Sequence, residues 1–179
     1  MVERLMPMHS FPGLEPYILS DVQRAGVETE FSLVLADARL AGRSKADIRR
    51  AIPDTCDGVP GVYLWVMSVG PVLYRVYVGK TKSLERRVAD YMKDFQPHSP
   101  NDYKIRIFQQ AVFAKEPEAS FMLYFARASL ETYTRLETQA VQRYTPLLNQ
   151  RASVAPAARE AFQKAFEAFY RAGFDSVLA

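Results

Sequence analysis

Apolar residues recur along this chain in two rhythms, and the switch between them marks out its elements. Residues 62–68 read Val-Tyr-Leu-Trp-Val-Met-Ser, a run rich in branched and aromatic side chains that predicts a strand. Val69-Gly70-Pro71 interrupts the run and Leu73 to Val78 resumes it, which predicts a β-hairpin. A hairpin symmetric about Gly70 would set Tyr63 opposite Tyr77. The two positions share one strand parity, so both phenols would leave the same face. Phe121 to Ala126 predicts a third strand. Phe31 to Ala36 is apolar enough for a strand or a buried helical turn.

The helical rhythm appears between these runs. Tyr17 to Ala25 suits a short helix. Ser44, with Asp47 three residues on, marks a helix start that Pro53 stops. Ser83 is placed as an N-cap with Arg86 at N3, opening a helix through about Lys93 that sets Arg87 and Tyr91 on one face. Phe95 to Tyr103, with two prolines and Asn101-Asp102, predicts a loop. Ile105, Phe108 and Val112 recur at helical spacing within 104–114. Ser129 is placed as the cap of a long helix to Tyr144, with Leu136, Ala140, Val141 and Tyr144 as its apolar stripe and Glu137 at the border. Pro146 ends it, and Asn149 follows in a loop. A last helix, 156–172, carries Ala158, Phe162, Ala165, Phe166 and Phe169 on one face and stops at Gly173.

The fold class that follows is α+β: a core over 58–151 with a three-stranded antiparallel sheet flanked by helices. Residues 1–57 form an N-terminal extension. Residues 152–179 form a C-terminal helix packed on the core or on a partner, and the latter would make a homodimer.

Composition narrows the classes. The chain has 179 residues, 49% hydrophobic and 24% charged, as in ordinary globular domains. Its one cysteine, Cys56, excludes an internal disulfide and multi-cysteine zinc sites. His9 and His98 lie far apart in Pro/Ser-rich stretches and offer no histidine metal site. No apolar run is long enough for a membrane span and no secretory signal is visible, so the expectation is a cytoplasmic protein without membrane association. Net charge is +3, with basic residues gathered at 39–50 and 80–93, which permits a polyanionic partner without requiring one.

Several candidate residues fall in one order. Gly61-Val62-Tyr63 precedes the hairpin turn and Tyr77-Val78-Gly79 follows it. Then come Lys80, Arg87, Tyr91, Glu137 and, twelve residues later, Asn149. Phosphodiester hydrolysis needs an activated water, a counter-charge for the phosphate and help for the leaving oxygen. Arg87 offers a planar fork of donors to phosphate oxygens. Glu137 can hold a hard divalent ion that keeps most of its waters, which suits Mg²⁺, with Mn²⁺ as a substitute.

The ordered set resembles the GIY-YIG nuclease superfamily over residues 58–151. The stretch from Tyr77 to Tyr91 is similar to the N-terminal nuclease domain of the UvrC type. The resemblance implies a metal-dependent endonuclease acting on DNA, double-stranded by default. It implies Tyr63 as general base and Tyr77 as the group orienting the water, although the residues themselves do not decide between the two phenols. Tyr91 would then bind phosphate or support Arg87, Lys80 would favour a phenolate, and Asn149 would fix the loop or the metal's surroundings. The length of the chain points to a restriction-type or phage and mobile-element enzyme, in which the 1–57 extension and the 95–118 insertion would supply contacts to the DNA bases. A binding module of the same fold without hydrolysis, and an RNA-directed nuclease, are the competing readings.

Overall fold

The computed structural model describes residues 12–93, 100–150 and Leu178. The C-terminal helix expected at 156–172, His9 and His98 therefore lie outside the described residues.

The hairpin forms as expected but is longer and differently registered. Strand β2 spans Gly61–Val69 and β3 spans Val72–Thr81. The turn is the pair Gly70-Pro71, with Gly70 at φ +55°, a left-handed value that glycine tolerates. Tyr63 faces Gly79 across the ladder, and Trp65 faces Tyr77, so the expected Tyr63–Tyr77 pairing does not occur. The register shifts between Trp65 and Val66, where Val76 is the extra residue of a β-bulge. The bulge decides the geometry of the site. A two-residue turn without it would oppose Tyr63 to Val78, and Tyr77 would leave the other face. The extra residue restores Tyr77 to the face of Tyr63.

The sheet has four strands, not the three expected, in the order β1-β4-β2-β3, all pairs antiparallel. The additional strand, β1 (Ser32–Leu35), comes from the ambiguous apolar run and pairs with β4 (Ser120–Arg127). Neighbouring backbone bonds extend this attachment: Ala38 N–H donates to Phe121 O, and the buried Gln109 amide bonds Ala38 O and Leu40 N–H. Strand β3 is an edge. Ile18-Leu19 covers it near Tyr74, where Leu19 N–H donates to Leu73 O at 2.8 Å. Covering such an edge protects it from unwanted strand pairing.

Helices pack on both faces. On one face α1 (Asp21–Glu30) and α5 (Tyr133–Tyr144) bury Val27, Ala140 and Tyr144 against Val62, Leu64, Val66 and Val78. On the other, α2 (Lys45–Ala51), α3 (Leu84–Tyr91) and α4 (Pro100–Lys115) cover Tyr63, Trp65, Met67 and Tyr74. Helix α2 starts as expected, with a capping box between Ser44 and Asp47.

Other boundaries differ from expectation. Helix α1 begins at Asp21 after the Ser20–Gln23 capping box, not at Tyr17. Residues 100–103 are helical rather than loop, since proline is tolerated in a first turn. Ser129 does not cap α5. It exchanges hydrogen bonds with Thr132 in a turn, and the helix starts at Tyr133. Helix α3 ends at Tyr91, two residues before Lys93.

Candidate active site

Four of the candidate residues meet on one face of the sheet. Tyr63 enters from β2 with its side chain 1% exposed. Arg87 and Tyr91 come from α3, one helical turn apart, and both reach the Tyr63 hydroxyl. Arg87 Nε donates to Tyr63 Oη at 2.9 Å, and the Tyr91 and Tyr63 hydroxyls lie 2.6 Å apart. The Arg87 guanidinium also stands over the Tyr91 ring, 5.0 Å from its centroid. Trp65 packs edge-on against Tyr91 at 5.7 Å. The Tyr77 ring, half-buried, lies 6.2 Å from that of Tyr63.

The glycines of the two tripeptides make room for this cluster. A Cβ on Gly79 would stand 2.3 Å from Tyr63 Oη and 2.5 Å from Cζ. A Cβ on Gly61 would meet the Ala126 carbonyl oxygen at 2.4 Å and the Phe125 ring. Neither glycine has a left-handed φ, so both serve close approach rather than backbone conformation.

Burial, with the Tyr63 phenol alongside, holds the Tyr91 phenol well above the ordinary value of 10.0, and Arg87 only partly offsets this. Tyr91 therefore stays protonated at neutral pH. A protonated Tyr91 has a hydrogen to give to Tyr63 Oη, and Arg87 Nε–H already gives one. The Tyr63 oxygen can thus accept from two donors at once.

Lys80 and Glu137 form a second pair, on the side of the sheet where α5 packs. Lys80 Nζ lies 3.1 Å from Glu137 Oε2 and donates to Thr134 Oγ1 at 3.2 Å. The two groups of residues are joined through the 77–80 segment of β3. Asn149 lies on a 3-10 turn, Leu147–Gln150, and its amide brackets Val78: Val78 N–H donates to Oδ1, and Nδ2 donates to Val78 O, each at 2.8 Å. It thus substitutes for a neighbouring strand at the β3 edge between Tyr77 and Gly79.

Glu137 is partly exposed, and among the described residues its one cationic partner is Lys80, on one oxygen. No cluster of three or more His, Cys, Asp or Glu able to hold a metal occurs among the described residues. A lone carboxylate at the surface fits a hydrated Mg²⁺ that takes its remaining ligands from water and phosphate.

Sequence reasoning passed over Lys104. It is 5% exposed, donates to Leu148 O at 2.9 Å and sits 5.7 Å from the Tyr77 ring centroid. Its spacing four residues before Phe108 was the available signal, since that places a lysine on the buried stripe of α4.

Neither a family model nor a solved structure matches the chain. Among the described residues, no helix is long and apolar enough to cross a membrane. A stretch of 41 residues, 23% of this chain, is 56% identical to the UvrABC system protein C of Oleidesulfovibrio alaskensis, of which it spans 5%.

Proposed function

We propose that this chain is a metal-dependent DNA endonuclease of the GIY-YIG type. The observation that carries the reading is the Tyr63 hydroxyl held at once by Arg87 and Tyr91, within a chain that shares a 41-residue stretch with the UvrABC system protein C.

In this reading Tyr63, as a phenolate supported by Arg87 and Tyr91, takes a proton from the attacking water. The water oxygen forms a bond to phosphorus as the bond from phosphorus to the leaving oxygen breaks, and the leaving oxygen keeps the bonding pair and takes a proton from solvent water. Arg87 sets its guanidinium charge against that of the phosphate. Tyr77, beside Tyr63, orients the water. Glu137 would hold Mg²⁺, or Mn²⁺ in its place, and the ion would supply Lewis-acid stabilisation of the phosphate. Lys80, which shares that carboxylate, would then be available to a phosphate. Asn149 keeps the Tyr77–Gly79 backbone in place.

The substrate we assign is duplex DNA and the role restriction or phage and mobile-element cleavage. The matched stretch covers 23% of the chain, which leaves most of it available for target selection. One site per chain cutting both strands requires a dimer or two successive nicks.

Purified protein is incubated with supercoiled plasmid and Mg²⁺ or Mn²⁺, beside EDTA and Glu137→Ala controls. Discrete fragments from the wild type alone support the restriction-type reading. Nicked circles or smears keep the nuclease and remove sequence-specific restriction. A folded protein that retards DNA without cutting it refutes hydrolysis of duplex DNA.

A further inference from the structure

The fold treats the two basic clusters of the sequence differently. Around 39–50 the arginines are neutralised or engaged: Arg43 pairs with Asp37 and Arg49 with Glu85, each at 2.8 Å, and Arg50 pairs with Asp47. Lys45 is exposed without an ion pair among the described residues, and it lies outside the groove lined by Lys82 and Arg86. The Arg39 guanidinium lies over the Phe113 ring at 3.9 Å and donates to the Pro117 carbonyl. Within 80–93, Lys80 is held by Glu137 and Lys93 by Asp90. Lys82 and Arg86 are both exposed and have no ion-pair partner among the described residues.

These two cations line a single open groove of about 460 Å³, together with Thr81, Ser83 and Arg87. Its carboxylates are Asp57 and Asp90, and Asp90 is already bound to Lys93. With Arg87 and Lys93 counted, cations outnumber carboxylates and the groove is positive. It wraps the first turn of α3, whose N-cap Ser83 makes no side-chain capping bond, so the helix dipole adds to the same field. Arg87 is common to the groove and to the Tyr63 cluster, so a ligand lying along the groove reaches the phenols.

We infer that this groove seats the phosphodiester backbone of the nucleic-acid strand beside the bond to be cut, with Lys82 and Arg86 as its grips, and that the arginines of 39–50 do not hold the backbone. The inference rests on the nuclease reading for its substrate. Exposed cations with no ion pair among the described residues lose none when they meet a phosphate. Such contacts are independent of base sequence and show themselves in salt dependence.

The test is fluorescence anisotropy with a labelled random-sequence duplex, in EDTA so that binding is read without cleavage. Wild type is compared with Lys82→Gln/Arg86→Gln and with Arg43→Gln/Arg50→Gln. Each lost phosphate contact lowers the slope of log affinity against log salt by ~0.9. The groove variant therefore loses affinity at low salt, and its deficit shrinks ~10-fold between about 50 and 200 mM salt. The 39–50 variant keeps the wild-type slope. Thermal melts check that both fold.

A groove variant with wild-type affinity and slope, an equal loss in the control pair, or a wild type that binds no duplex overturns the inference. Plasmid cleavage separates it from the nuclease reading. Cutting at the wild-type rate by the groove variant at subsaturating DNA removes the groove and leaves hydrolysis standing. Binding that depends on Lys82 and Arg86 in a chain that cuts nothing keeps the groove and removes hydrolysis.

Discussion

The phenol of Tyr63 occupies the space that a side chain on Gly79 would fill. The two residues face each other across the β2–β3 ladder, and the missing Cβ lets the Tyr63 hydroxyl lie across β3 toward α3. Gly79→Ala forces the Cβ against a rigid, fully buried ring. Overpacking of this kind costs ~1–3 kcal/mol. The expected result is a lowered Tm together with loss of cleavage, because the phenol is pushed off Arg87 and Tyr91. A variant that melts and cuts like the wild type would contradict the close approach.

Tyr91→Phe keeps the ring and removes only the hydroxyl 2.6 Å from Tyr63. Tyr63 then loses one donor, and its phenolate becomes less favourable. Cleavage should fall by ~10²-fold, as for loss of one preorganised donor. The ascending limb of the pH–rate profile should also move to higher pH. A merely structural hydroxyl would lower the rate without moving that limb.

Glu137→Gln separates function from stability. The Lys80–Glu137 pair is partly exposed, with side chains 34% and 25% accessible, so its loss changes stability by less than ~1 kcal/mol. Cleavage should nevertheless fall by at least ~10²-fold, with Mg²⁺ binding by calorimetry lost in parallel. Unchanged Mg²⁺ affinity would place the ion elsewhere.

Asn149→Ala exposes both polar groups of Val78 at the β3 edge. Unmaking such bonds costs ~1–3 kcal/mol. Hydrogen exchange at the Val78 amide should accelerate more than at Leu64 in the neighbouring strand. Uniform acceleration would indicate general destabilisation instead.

Alkaline pH should unfold the protein. Burial raises the phenols of Tyr74, Tyr91 and Tyr144 above their ordinary value of 10.0. Their folded values exceed their unfolded ones, so the stability linked to them is complete below about pH 10 and declines as pH rises above it. Denaturant midpoints measured across that range should fall. Asp47 has the opposite sign. Hydrogen bonds from Ser44, with Arg50 assisting, lower its carboxyl to about 2, so its contribution is present above the ordinary 3.8 and is lost as pH falls below 3.8 through about 2.

Much of this arrangement was legible in the residue order. The hairpin, the stripe of α5, the Ser44–Asp47 cap and the one-turn spacing of Arg87 and Tyr91 are local, and local rhythm dictates them. Tyr63 and Tyr77 share a face as their parity implied, but for a reason the parity did not contain. A two-residue turn reverses the phase between the strands, and the Val76 bulge reverses it again.

The sequence by itself determined which residue types stand at which intervals along each element. It thereby set the α+β class and the ordered set of tyrosines, arginine, lysine, glutamate and asparagine. Tertiary structure alone decided what those residues touch. Pairing with β4 turned an ambiguous apolar run into a fourth strand, and the 3-10 turn brought Asn149 to the Val78 backbone 71 residues away. Ion pairs engaged Arg43, Arg49 and Arg50, and the Phe113 ring and Pro117 carbonyl engaged Arg39, while Lys82 and Arg86 were left open. Each of these depends on contacts between distant segments, whose energies come from surfaces that exist only after the chain has packed.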